Sequence, residues 1–318
     1  MDLSALTLTQ LRYLCALDRE RSFRAAAEHC LVTQPALSMQ VQRVEQLLGL
    51  VVFDRSRQPI LPTEPGARIL AQARTILHEV ERLREIAEHD GGHPAGAYRL
   101  GVIPTLASTL LPRLLPTFAR RLPAVQLQVE EVPTDALLAG LERDQLDGGL
   151  AATPLEAPGV REQTLFREPL YAYLPPRHPL ASRATVRQSE LVGEALWLMD
   201  EGHCFRHQVL QLCRIDSRAL QAQTPVRFQS GSFETLIRMV DRGFGVTVLP
   251  ALSVAELPAS RRREQVRPFA GAVPVRQVSL IRTREHLRRR LSEALATVVA
   301  EVLPSFPTSS KAWVVPPR

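Results

Sequence analysis

The chain contains no asparagine and only one lysine, Lys311, among its 39 basic residues. That skew reads as genomic base composition rather than as function. Four cysteines in 318 residues are too few for a secreted disulfide scaffold. The expected compartment is therefore the reducing cytoplasm, where any disulfide is transient. No apolar run approaches the roughly 18 residues of a membrane span. The N-terminus carries Asp2 and no basic stretch, so it does not read as a signal peptide. No C-x-x-C pair occurs, which removes the firmest zinc signature. What remains is ordinary: 45% apolar and 23% charged residues, in a length that suits two or three modest domains.

A net charge of +6 admits a polyanionic partner without locating it. Residues 1–60 are nearly balanced, with seven arginines against six carboxylates. The excess sits later, at Arg261–Arg263, Arg267 and Arg288–Arg290.

The first 62 residues read as short helices with tight turns. Leu11, Leu14 and Leu17 form one stripe, and Ser22 opens a second helix through Ala25–Cys30. Thr33 is a candidate N-cap for a third helix, with Pro35 in its first turn. That helix has an apolar stripe at Leu37, Val41, Val44 and Leu48, ends at Gly49, and is polar on its other face. Val51–Phe53 and Ile60–Leu61 read as two short strands around a polar tip. Residues 63–90 read as one long helix with an a/d seam at Ile69, Ala73, Ile76, Val80, Leu83 and Ala87. A helix that connects domains and pairs with another chain is favoured over a helix packed only on its own domain. Gly91-Gly92-His93-Pro94 then breaks the chain.

From Tyr98 onward strands and helices alternate, which predicts parallel sheets covered by helices in two linked α/β subdomains over 97–304. Expected strands include Tyr98–Ile103, Ala195–Met199, Val226–Gln229 and Val275–Ile281, and a proline-interrupted helix spans Leu106–Arg121. The proline-bearing tail 305–318 is expected to be disordered.

Two short helices joined by a turn, with a strand pair after them, match a winged helix-turn-helix. Thr33, Gln34, Pro35 and Ser38 would stand at the N-terminal end of the recognition helix, facing base edges. Arg55 and Arg57 at the wing are positioned for phosphates or the minor groove. The stretch FRAAAEHCLVTQPALSMQVQRVEQLLGLVVFDRSRQPILPTEPG resembles the N-terminal signature of LysR-type transcriptional regulators. The likeness includes the alanine-rich helix, the TQPALS entry, the E-x-L-L-G end, the F-D-R wing and the T-x-x-G that opens the linker helix. It implies an α/β protein: a DNA-binding winged helix-turn-helix over 1–62, a linker helix over 63–90, and a two-lobed effector domain like a periplasmic binding protein. It also implies promoter DNA as partner, a homodimer or homotetramer, contact with RNA polymerase, and no enzymatic activity.

The segment GHCFRHQVLQLC holds two cysteines nine positions apart. Gly202 marks a turn, so Cys204 is expected at a helix N-terminus, beside His203 and Arg206; a helix dipole and cations both favour a thiolate. If 205–213 stays helical, the two cysteines stand roughly 13 Å apart. A disulfide needs Cα atoms within about 7 Å, so bridging must remodel the helix. Two plainer readings stand beside this one. Cysteines in helices are commonly small buried hydrophobes, the expected role of Cys15 and Cys30. A metal set of His203, Cys204, His207 and Cys213 lacks the usual paired spacing.

The same segment resembles the redox loop of peroxide-sensing LysR-type activators, as do IPTLASTLLPRLLP, EVPTDALLAGL and SFETLIRMVDRGFGVTVLPAL in their own places. The resemblance implies Cys204 as peroxidatic and Cys213 as resolving cysteine, with Thr105, Thr134, His203 and Arg276 shaping a peroxide pocket. It implies hydrogen peroxide as the signal and a cellular dithiol as the reductant, without cofactor or metal. His207 departs from the pattern, which has an acidic residue there. Thr105 and Thr134 also have a simpler reading as helix caps. The alternative function is a metabolite-responsive regulator of the same family with incidental cysteines. A thiol peroxidase is disfavoured by the extra N-terminal 90 residues and the absence of C-x-x-C.

Overall fold

The computed structural model describes residues 5–56, 58–87, 94–215, 230–283, 288–306 and 311–317. Arg57 and the expected strand Val226–Gln229 lie outside the described residues. The chain divides into two compact units, Met1–Gly92 and His93–Arg318.

The first unit opens with α1 (Leu8–Glu20), where Thr7 and Gln10 form a reciprocal capping box. Ser22 caps α2 (Phe23–His29) and Thr33 caps α3 (Gln34–Leu48). Leu11, Leu14 and Leu17 bury against Leu37, Val41 and Val44. Ala26 and Ala27 of α2 are buried between them, and their small side chains let the helices approach closely. Strands β1 (Phe53–Asp54) and β2 (Leu61–Pro62) pair antiparallel as the wing. Helix α4 (Glu64–Ala87) follows directly. Its Leu70 and Ala73 complete the same core, while Ile76 and Leu83 face outward. Asp18, buried on α1, pairs with Arg74 of α4 and with Arg21.

The second unit holds β3 (Gly96–Val102), α5 (Pro104–Arg121), β4 (Val125–Glu131), α6 (Thr134–Glu142), β5 (Gly148–Thr153) and the long β6 (Arg161–Tyr173). There follow α7 (Cys204–Cys213), α8 (Phe233–Asp241), β7 (Thr247–Pro250), α9 (Ala251–Ala255), α10 (Ala259–Gln265) and β8 (Val266–Pro268). Strand β9 (Val273–Arg282), α11 (Arg289–Val302) and β10 (Ala312–Val314) complete it. Two apolar cores mark two lobes. One gathers Leu100, Leu106, Leu137, Leu150 and Leu295; the other gathers Tyr173, Trp197, Phe205, Val209, Leu249 and Cys213.

The sheets are not all parallel, as the alternation predicts. Strands β4, β3 and β5 run parallel, but β9 runs antiparallel to both β5 and β6. The reason is topological. The chain leaves the first lobe along β6 and returns along β9, so these two strands must oppose one another. Strand β6 pairs with β9 through Pro169 and then, from Leu170, with β7 and β8.

Three local expectations are corrected. Helix α5 runs unbroken through Pro112 and Pro116. Both prolines are exposed, so the carbonyls that lose an N–H partner can bind water instead. Residues 195–199 form isolated parallel bridges, Leu196 with Val246 and Met199 with Ser230, rather than a strand. The tail 305–318 is not disordered throughout: β10 pairs parallel with β9, and Val315 is fully buried. The run Ala312–Val315 has apolar and β-branched side chains and no proline, so its N–H groups are available to a neighbouring strand.

Candidate functional site

The two units carry one candidate surface each. In the first, α3 presents Thr33, Gln34 and Pro35 exposed at its N-terminus, with Ser38 half-exposed one turn on. Thr33 Oγ1 accepts from the Ala36 N–H at 3.4 Å. An exposed helix N-terminus with short polar side chains has the form of a major-groove reader. Arg55 is exposed at the wing and is also engaged within the unit. It meets Glu45 at 2.5 Å and lies over the Phe23 ring at 5.2 Å. Glu45 also accepts from the Val52 and Phe53 N–H groups at 2.8 and 3.2 Å. Arg55 thus ties the wing to α3 and α2. The T-x-x-G motif has a mechanical basis. Thr63 Oγ1 donates to the Val51 carbonyl at 2.7 Å and accepts from the Gly66 N–H at 3.0 Å. A Cβ on Gly66 would stand 2.0 Å from the Val52 carbonyl oxygen, so only glycine fits.

In the second unit, Cys204 is the first residue of α7 and is half-buried against the first lobe's core. Burial pushes its thiol upward. The Thr134 hydroxyl, the Arg276 guanidinium and the N–H groups of Phe205 and Cys204 oppose that shift, each by stabilising a thiolate. Burial is the largest influence, and the thiol stays above its ordinary value.

Arg276 is fully buried, yet it has three partners. Its Nε donates to Glu168 at 2.5 Å, and two further nitrogens reach Thr105 Oγ1 at 3.3 Å and the Thr105 carbonyl at 3.2 Å. Its guanidinium carbon lies 5.5 Å from the centre of the Phe205 ring, one residue beyond Cys204. Glu168 and Arg276 are register partners on β6 and β9, one residue from where β6 changes partner. The other Glu168 oxygen accepts from the Leu252 N–H at 2.8 Å. A fully buried ion pair therefore sits where the strands pass between the lobes.

Both threonines differ from their simpler reading. The caps of α5 and α6 are Ile103 and Pro133, neither with a side-chain bond. Thr105 accepts from Arg276, and Thr134 turns to Cys204. The nearby cations expected from the sequence are also replaced. Arg206 donates to the Met199 carbonyl at 3.3 Å, and His203 Nε2 meets Asp200 at 3.1 Å. The cation that acts on Cys204 comes from β9. Glu168 escapes a sequence reading, because β6 also carries Arg161, Glu162, Gln163 and Arg167, and nothing in the sequence marks Glu168 as the buried one.

Cys213 ends the same helix in the second lobe's core, beside Val209 and Leu212. Burial alone pushes its thiol up to about 12. All four cysteines are free, and an unbroken helix separates Cys204 from Cys213. Cys15 and Cys30 are half-buried against the first unit's core. Among the described residues, no group of three or more His, Cys, Asp or Glu side chains is placed to hold a metal. No described helix is long and apolar enough to cross a membrane.

Residues 8–67 match the bacterial regulatory helix-turn-helix protein family, lysR type, and residues 91–304 match the LysR substrate binding domain. The chain is 36% identical over 304 residues to the hydrogen peroxide-inducible genes activator of Pectobacterium carotovorum subsp. carotovorum, covering 95% of this chain and 98% of that one. It is 35% identical over 300 residues to the DNA-binding transcriptional dual regulator OxyR of Escherichia coli, covering 93% and 96%. A full-length OxyR variant from Pseudomonas aeruginosa superposes with a TM-score of 0.80 at 34% identity, over 94% of this chain and 99% of that one. A hydrogen peroxide-bound OxyR variant from Corynebacterium glutamicum superposes with a TM-score of 0.60 at 27% identity, over 95% and 94%. With a helix-turn-helix in its N-terminal unit and two lobes in its C-terminal unit, the chain belongs to the LysR family of bacterial transcriptional regulators, and is a DNA-binding protein rather than an enzyme.

Proposed function

We propose that this regulator responds to hydrogen peroxide through Cys204, with Cys213 as the resolving cysteine. The observation that carries the reading is the meeting of Thr134, Arg276 and two backbone N–H groups on one half-buried thiol at the head of α7. The similarity to peroxide-inducible activators over nearly the whole chain supports it. In this reading Thr105, Thr134, His203 and Arg276 shape the peroxide pocket. The Cys204 thiolate attacks one peroxide oxygen, the O–O bond breaks, and the departing hydroxide takes a proton to leave as water. The resulting sulfenic acid condenses with Cys213 to a disulfide, releasing a second water. A cellular dithiol reverses it by exchange.

Because α7 holds the sulfurs in different lobes, closing the disulfide must unwind the helix and repack the second lobe. That coupling is what a regulator requires. The reader in the first unit is α3, with Thr33, Gln34, Pro35 and Ser38 toward base edges of promoter DNA and Arg55 and Arg57 at the wing. A homodimer or homotetramer in the cytoplasm, acting with RNA polymerase, completes the reading. The outward Ile76 and Leu83 of α4 suit a helix that pairs with a second copy.

The test is the thiol state of the reduced chain after one equivalent of hydrogen peroxide for seconds, read by peptide mass spectrometry. The expected product is a Cys204–Cys213 disulfide with Cys15 and Cys30 free. Unreacted thiols, or slow uniform oxidation of all four, would overturn the peroxide reading and leave a metabolite-responsive regulator.

A further inference from the structure

The C-terminal segment grips the helix that the proposed chemistry must unwind. Residues Ala312, Trp313 and Val314 lie in parallel register with Val273, Pro274 and Val275 of β9. The Val273 N–H donates to the Lys311 carbonyl at 3.2 Å, and the Val315 N–H donates to the Val275 carbonyl at 2.8 Å. Val315 is fully buried in the core that also contains Cys213. Its carbonyl accepts a 2.6 Å hydrogen bond from Nε2 of Gln208. Gln208 is itself fully buried and lies on α7 between the two cysteines.

This arrangement sets two demands against each other. A disulfide brings the two Cα atoms within about 7 Å, whereas nine helical steps hold them roughly 13 Å apart. Part of 204–213 must therefore leave the helix, and Gln208, near its middle, is placed to be drawn away from Val315 as it does. The tail holds to β9 through a strand of three residues, a short element for an edge.

We propose that residues 311–317 form a strap that holds α7 in its reduced conformation, slows disulfide closure, and leaves β9 once the disulfide forms. This rests on the peroxide reading of Cys204 and Cys213. The strap acts on the second of the two steps. In the first, Cys204 sulfur gains an oxygen and is oxidised, while hydrogen peroxide is reduced to water. In the second, Cys213 sulfur attacks the sulfenic sulfur, the S–S bond forms, the S–O bond breaks, and hydroxide leaves as water with the Cys213 proton. The strap's bonds are to Val273, Val275 and Gln208, not to Cys204 or Thr134. Formation of the sulfenic acid therefore proceeds at the same rate with or without it.

The experiment compares the full-length chain, a chain ending at Ser310, and Gln208→Met, each first reduced and its melting temperature recorded. After addition of hydrogen peroxide, dimedone trapping counts the sulfenic acid and mass spectrometry counts the disulfide. The expected result is an unchanged first step and disulfide closure about two- to tenfold faster in both variants, the span of one lost hydrogen bond. Amide hydrogen exchange on the full-length chain provides a second readout that needs no variant. The Val315 and Val273 amides should be protected when reduced and lose protection when oxidised. Unchanged closure rates overturn the strap, as do tail amides that stay protected in the disulfide form. If the shortened chain does not fold, Gln208→Met and the exchange measurement decide. Absence of any Cys204–Cys213 disulfide in the full-length chain overturns the peroxide reading and the strap with it; a disulfide with a docked tail overturns the strap alone.

Discussion

The two ends of α7 carry the same chemical group in opposite surroundings. At the head, Cys204 faces a hydroxyl, a guanidinium and two backbone N–H groups. At the foot, Cys213 faces aliphatic carbon and nothing opposes its burial. Both thiols are pushed upward, so burial does not distinguish them. The difference lies in the groups able to stabilise a thiolate once it forms, and these are all at the head. One helix thus separates a thiol built to react first from one that must be brought to it.

The sharpest way to break this contrast is to remove each sulfur in turn. Cys204→Ser is expected to abolish peroxide oxidation of the pair and the transcriptional response, while a gel-shift assay still shows DNA binding. Cys213→Ser should still form a sulfenic acid at Cys204, trapped by dimedone, but give a weak or unstable response. Retention of the response in Cys204→Ser would sink the assignment. Next in size is Glu168→Ala, which leaves Arg276 charged and buried with only the Thr105 oxygens and no carboxylate beside it. Urea denaturation should show a loss of about 3–5 kcal/mol. A loss below 1 kcal/mol would mean that the head of α7 is not built on that ion pair.

Thr134→Val removes a hydroxyl that donates to the thiolate. Alkylation of Cys204 should slow by about 10- to 100-fold, the span for a hydrogen bond to a charged group, with Cys213 unaffected. The pH dependence has a definite sign. Burial outweighs the opposing groups at Cys204, so its thiolate fraction is small near neutrality and grows as pH rises toward and past the ordinary 9.0. Its alkylation rate should climb through that window, while Cys213 stays silent until about 12. A plateau below pH 8 would show that Thr134 and Arg276 outweigh burial. The smallest effect belongs to Cys213→Val, a near-isosteric exchange in an apolar core. Stability should change by less than about 1.5 kcal/mol in thermal unfolding.

The parts of the molecule legible in the sequence are those whose causes are local. Thr33 caps the helix it immediately precedes, and the stripes at Leu11 and Leu37 bury as their spacing predicts. Cys204 heads its helix because Gly202 and His203 end the preceding turn. The charge around that thiol is a different matter. Arg276 comes from a strand 171 residues away from Thr105 and 108 from Glu168, and no spacing rule reaches across such distances. His203 and Arg206 are adjacent in sequence but turn to Asp200 and Met199. The antiparallel crossing of β6 and β9 is hidden for the same reason, since alternation of elements says nothing about which strands carry the chain between lobes. The tail was obscured by composition: prolines on both sides of Ala312–Val315 draw attention from four residues able to pair.

Thr63 uses one oxygen to hold the wing's carbonyl and to start α4, and Gly66 presses its backbone against that wing. Such a joint has no slack. A rotation of α4 is therefore expected to turn the wing with it, and the Arg55–Glu45 pair to carry α3 along. In the proposed reading, such a joint would pass on a change of angle and groove phase rather than a change in the shape of the reading surface.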